Sequence, residues 1–318
     1  MKRLLTIAGL LISLACGFFF FRSVAVHWDV FTHMKWAKWV WPALALTLIL
    51  YIGTYALVTF AWGRSLKALG YPLGYRVMLQ ILLLSQFAKY LPGNVGHHVG
   101  RVLLAKREGL PTEIVLGSML MDTMLVLFAA FAASFPALHL LIQVASDKGS
   151  ANTRTVAILI AAFVAFPGIV MLLPAARRMV IRQLGHIAQL VRREKFPLLA
   201  AAWSTHCASF LIGGTALYLL CIAFSGNFSA PYWIDTTGVY AAAWLLGFLI
   251  PGAPAGLGIR EIILLLGLSP LFGIEAATAA AAALRLITTI GDGLAFVLGL
   301  ILRNMQRGIQ SNAHSDSI

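Results

Sequence analysis

The sequence predicts an all-α polytopic membrane protein with about six full transmembrane helices plus two re-entrant Pro-Gly hairpins, arranged as an inverted repeat. Three observations predict it. Of the 318 residues, 60% are hydrophobic and 11% charged, against roughly a quarter charged in a soluble domain. Six apolar stretches come close to or exceed the length of about 20 residues that a helix needs to cross roughly 30 Å of hydrocarbon. Two further apolar stretches are too short to span, and both run directly into Pro-Gly.

The expected spans are 4–21, 40–61, 113–139, 155–174, 197–224 and 276–301. The first begins like a signal peptide, but its apolar run exceeds the usual 7 to 15 residues. Arg22 also abuts the only suitable cleavage position, so we read it as a retained helix. The two short segments are 77–91, ending "KYLPG", and 237–250, ending "FLIPG". From Leu91 the chain reads "LPGNVGHHVGRVLLAKREGLP", and from Ile250 "IPGAPAGLGIREIILLLGLSP". Pro92, Gly93, Arg101 and Pro111 match Pro251, Gly252, Arg260 and Pro270 at a constant offset of 159 residues, half the chain. The flanking spans 40–61 and 113–139 shift onto the fifth and sixth spans at the same offset, which points to duplication. The halves are approximately 1–145 and 154–302 of a single transmembrane domain, 1–302. Residues 303–318 form a polar cytoplasmic tail expected to be disordered.

Positive charge orients these elements. With re-entrant hairpins and cytoplasmic termini, 16 of the 24 lysines and arginines fall inside and six outside. With eight crossings the tally reverses to 9 inside and 13 outside, against the positive-inside rule. An odd number of spans per half then makes the second half inverted. Residues 177–195 read as an interfacial amphipathic helix, and the tryptophans of "HWDVFTHMKWAKWVW" as an aromatic belt on the opposite face. The net charge of +13 suits anionic lipid headgroups rather than nucleic acid. Cys16, Cys207 and Cys221 lie in apolar segments without CxxC spacing and are expected to be reduced and structural.

Broken helices at membrane depth imply a polar interior, because lipid cannot satisfy free backbone N–H and C=O groups. Inverted repeats with such breaks are characteristic of secondary transporters, whose half-helix N-termini face anionic substrate groups. The candidate substrate-binding residues are therefore Pro92, Gly93, Asn94, Gly96, His97 and Arg101 in the first element. In the second they are Pro251, Gly252, Gly256, Gly258, Arg260 and Glu261. The glycines suit either backbone approach to an anion or close helix packing, as Gly96–Gly100 and Gly252–Gly256 match GxxxG. Arg101 and Arg260 offer forked donors to a phosphate, or sit at the interface. Asp122, His206, Arg285 and Asp292 lie within spans, with Lys89 beside the first break. Ionisable groups at that depth face a cavity or pair with one another. Asp122, Arg285 and Asp292 are assigned to gating or coupling, or else to a static pair of Arg285 with Asp122 or Asp292. His97 and His98 do not make a metal site, since adjacent side chains diverge and no further ligand stands at suitable spacing. "GDG" at 291–293 lacks the flanks of an intramembrane aspartyl protease, and no G-x-S-x-G, H-E-x-x-H or P-loop occurs. No cofactor is expected.

"YLPGNVGHHVGR" and "PGAPAGLGIRE", in an all-helical chain of this length, resemble the lysylphosphatidylglycerol synthase transmembrane region family, the flippase-like domain. The resemblance covers nearly the whole chain, without the aminoacyltransferase domain that some members carry. It implies lipid movement across a bacterial inner membrane, with membrane lipids of anionic headgroup as partners. It also implies that the family's motif residues fall on Pro92, Gly93, Gly96 and Arg101, and on Pro251, Gly252, Gly256, Gly258 and Glu261. The alternatives are a membrane-embedded transferase acting on a lipid-linked sugar, and a non-lipid transporter or scaffold.

Overall fold

The computed structural model describes residues 38–86, 96–140, 193–227, 231–250 and 254–315. Eight α-helices run through them. They are α1 (Val40–Ala68), α2 (Tyr75–Gln86), α3 (Gly96–Arg107), α4 (Thr112–Ser134), α5 (Phe196–Ser225), α6 (Tyr232–Leu249), α7 (Ile259–Phe272) and α8 (Ile274–Ser315). Single 3₁₀ turns extend α4 at Phe135–Ala137, precede α5 at Arg193–Lys195, and precede α7 at Pro254–Gly256.

Four helices are long and apolar enough to cross a membrane: α1, α4 continued to Leu140, α5, and α8 as far as Met305. They coincide with four of the six expected spans. The expected spans 4–21 and 155–174, the amphipathic segment and most of the tryptophan belt lie outside the described residues, as do Cys16 and Lys89. Proline punctuates the rest, because it cannot donate within a helix and restricts the residue before it. Pro72 lies between α1 and α2, Pro111 caps α4, and Pro231 caps α6. Helix α6 starts at Tyr232, five residues before the apolar segment 237–250, because Pro231 initiates it. Helix α8 extends past the apolar span that ends at Ile301, where the following sequence contains no proline to stop a helix already nucleated.

Shifted by 159 residues, α1 to α4 become 199–227, 234–245, 255–266 and 271–293, which overlie α5, α6, α7 and α8. The packing follows the same correspondence. Helix α2 packs on α8 as α4 packs on α6, and α1 packs on α8 as α5 packs on α4. Helices α1 and α5 form the most extensive interface and exchange with each other. Each of these helix pairs therefore has its counterpart at the 159-residue offset. Small residues permit the closest approaches, as in membrane bundles generally. A Cβ at Gly214 of α5 would lie 2.4 Å from Thr237 Oγ1 of α6, and one at Gly267 of α7 would lie 2.7 Å from both Val239 methyls. The largest apolar cluster joins α5, α6, α7 and α8 through Leu217, Leu220, Val239, Ile259, Ile263, Leu268 and Ala280.

A cavity with one arginine from each half

A cavity of about 260 Å³ opens between the two halves. Arg101 and Arg260, a full repeat apart in sequence, both line it, with Asp122, His206, Glu261 and Arg285.

Arg101 lies in the second turn of α3 and is 6% exposed. Its guanidinium stands over the Trp62 ring of α1, 4.9 Å from the centroid, and Trp62 is fixed by donating its indole N–H to Ser118 Oγ of α4 at 3.0 Å. Arg101 Nη1 is 3.9 Å from Asp122 Oδ2. The other oxygen of Asp122 is 2.9 Å from Nε2 of His206, which is 1% exposed. Helices α1, α3, α4 and α5 therefore meet at one buried polar chain. A charge that deep requires a partner. The Nε of Arg101 has none among the described residues.

Arg260 lies in the first turn of α7. Its guanidinium faces Trp244 of α6 at 5.8 Å from the ring centroid, and Trp244 is stacked on Phe248. The side chain passes between two glycines. A Cβ at Gly247 would come 2.6 Å from its Cγ, and one at Gly256 would come 2.7 Å from its Nε. Among the described residues no carboxylate lies within ion-pair distance of Arg260, and its Nε is buried without a partner. The preceding turn is left-handed at Ala255 (φ 51), Gly256 (φ 70) and Gly258 (φ 82). Glycine relieves that conformation at two of the three positions. Glu261 holds the turn closed, accepting from the Gly258 backbone N–H at 2.6 Å through Oε2. Its Oε1 lies 3.4 Å from Nη1 of Arg285 on α8, which also donates to the Ala255 carbonyl at 3.3 Å.

Arg285 thus pairs with Glu261, not with Asp122 or Asp292. Arg285 and Asp292 share a helix face by their seven-residue spacing, but α7 brings the Glu261 carboxylate to 3.4 Å from Arg285. Asp292, fully buried, accepts from Tyr51 at 2.7 Å and from Tyr55, both on α1 and both lining the cavity. Asp292 is therefore one residue removed from the site. His97 and His98 line the cavity at the start of α3, with their rings 3.8 Å apart. Gly100 lies against α2, where a Cβ would be 3.3 Å from that of Ser85, so this glycine serves packing. Among the described residues, no three histidine, cysteine, aspartate or glutamate side chains cluster as metal ligands. Pro92, Gly93, Asn94, Pro251 and Gly252 lie outside the described residues, while Gly96 begins α3.

Sequence reasoning missed Trp62, Trp244, Tyr51, Tyr55 and Gln86. Single aromatic or amide residues inside apolar helices give no periodic signal that separates cavity from core. His206 was noticed as a buried ionisable group, but its pairing with Asp122 could not be read from the chain.

The model of the family described as "Lysylphosphatidylglycerol synthase TM region" matches residues 6–295. No curated protein matches the chain.

Proposed function

The chain belongs to the lysylphosphatidylglycerol synthase transmembrane-region family, a multi-pass membrane protein, and from that premise we propose that it translocates a lipid with an anionic headgroup across a bacterial inner membrane. The observation that carries this reading is the shared cavity, in which one arginine from each half has a buried Nε without a partner among the described residues. Phosphate oxygens supply the acceptors these donors lack. The headgroup occupies the cavity while the acyl chains stay in lipid. The Pro-Gly segments act as re-entrant hairpins entering from opposite faces, with both termini cytoplasmic. Asp122, Arg285 and Asp292 couple headgroup occupancy to helix movement. In transporters of inverted-repeat design, access alternates by rocking one repeat against the other around a fixed central site, and the exchange of contacts between the halves supports that movement here.

Reconstituted vesicles carrying fluorescent phospholipids test the function. Protein-dependent transfer of an anionic phospholipid between leaflets is expected, and the double variant Arg101→Ala/Arg260→Ala should abolish it. Transfer that survives the double variant rejects the site, while the absence of transfer for every anionic lipid rejects the function. Single cysteines at positions 97 and 257 should react from opposite faces of sealed vesicles. Reaction from one face rejects the inversion.

A further inference from the structure

The charges around the cavity are unequally committed. Each oxygen of the two lining carboxylates already faces a protein donor. Asp122 divides its oxygens between His206 (2.9 Å) and Arg101 (3.9 Å), and Glu261 divides its own between the Gly258 N–H (2.6 Å) and Arg285 (3.4 Å). The donors are in excess. Arg260 has no carboxylate partner among the described residues, and the Nε groups of Arg101 and Arg260 are unpaired. Among the described lining residues three arginines face two carboxylates, so one guanidinium has no carboxylate of its own.

The remaining polar wall is uncharged. Thr54, Ser209 and Thr288 line the cavity and already donate their hydroxyl protons to backbone carbonyls, at 2.6, 2.7 and 3.0 Å. Their oxygens keep free lone pairs and act as acceptors. Gln86, at the end of α2 where the first break begins, also lines the cavity with an amide that bonds nothing among the described residues. The space of about 260 Å³ equals about nine waters at ~30 Å³ each. That accommodates a phosphate with one small polyol.

Resting on the translocase reading above, we propose that the headgroup is a monoanionic phosphodiester of an uncharged polyol, of which phosphatidylglycerol and a polyprenyl phosphodiester of a neutral hexose are the two chemical sources. The phosphodiester supplies one negative charge to Arg260 and the Nε of Arg101, and the polyol donates to the hydroxyl wall and Gln86. A headgroup bearing an ammonium, whether ethanolamine or an aminoacyl ester, meets among the described lining residues only carboxylates that already face protein donors, and more arginines than carboxylates. A diphosphate brings more negative charge than the one cation left uncommitted. The cavity selects against the aminoacylated lipid that gives the family its description.

The test uses the full chain in vesicles and measures how fast a membrane-impermeant quencher reaches each labelled lipid. Phosphatidylglycerol should equilibrate at least about tenfold faster than phosphatidylethanolamine, lysylphosphatidylglycerol or phosphatidic acid, since like-charge juxtaposition and unmatched charge both penalise the wrong headgroup. A polyprenyl phosphoryl hexose in a parallel arm, compared with a polyprenyl diphosphate, separates the two sources. Faster movement of either monoanionic polyol lipid supports the proposal. Equal rates for all lipids, or faster movement of an ammonium-bearing lipid or the diphosphate, overturns it while leaving the translocase intact. No movement of any lipid overturns both. Gln86→Glu adds an uncommitted carboxylate and should reverse the order, slowing phosphatidylglycerol and accelerating phosphatidylethanolamine. An unchanged order in that variant removes Gln86 from headgroup recognition and refutes that part of the proposal.

Discussion

The two breaks share a frame and differ in what they do with their carboxylates. In the first half Arg101 is enclosed over Trp62 and faces Asp122, which comes from the neighbouring spanning helix α4. In the second half the acid is Glu261, beside Arg260 in sequence. It bonds the left-handed turn at Gly258 and holds Arg285 of α8. One acid therefore restrains its half's arginine. The other restrains the backbone and leaves its arginine to the cavity. Both halves place an arginine over a tryptophan, and they differ at the single polar partner that decides how free each arginine is.

The comparison breaks most severely at Asp122. Asp122→Ala leaves Arg101 and His206 buried without their common acceptor, and loss of one partner of a buried pair costs about 3–5 kcal/mol. The folded yield and the thermal midpoint in detergent should both collapse, and near-wild-type stability would show that the first arginine is not held by its acid. Glu261→Ala removes the acceptor of the Gly258 N–H and the partner of Arg285, an expected loss of about 1–3 kcal/mol. Proteolysis should then reach the 251–258 turn faster than in the wild type, and Glu261→Gln, which keeps an acceptor for Gly258, should restore most of the protection. Asp292→Asn keeps the shape but weakens the bonds from Tyr51 and Tyr55, costing about 1–2 kcal/mol by denaturant titration.

The smallest expected effect on stability is also the most informative. Arg260→Ala removes a cation without a carboxylate partner among the described residues and should change the thermal midpoint little, whereas Arg101→Ala should lower it measurably because Asp122 loses its cation. Both should impair lipid transfer. Equal thermal losses for the two variants would mean that the halves use their arginines alike.

Much of the frame was legible in the chain. Hydropathy located the four described spans to within seven residues at each end, because burial of an apolar helix in lipid is a property of the segment itself. The Pro-Gly pairs themselves lie outside the described residues, while the offset of 159 residues that they share in the sequence brings the ranges of α1 to α4 onto those of α5 to α8. Arg101, Arg260, Asp122 and Glu261 were recognised as costly charges in an apolar setting, and the cavity gathers all four.

Pairing was not legible. The sequence offered Arg285 two aspartates, and the fold supplied Glu261. It offered Asp292 to Arg285, and the fold gave it two tyrosines of α1. Segment hydropathy is local, so the sequence by itself determined an all-helical membrane protein and marked the charges that lie within its apolar setting. Which charges meet depends on how helices far apart in the chain rotate and close on one another, down to the space that Gly247 and Gly256 leave for Arg260. Only the tertiary structure decided that, and with it which arginine is left for a ligand.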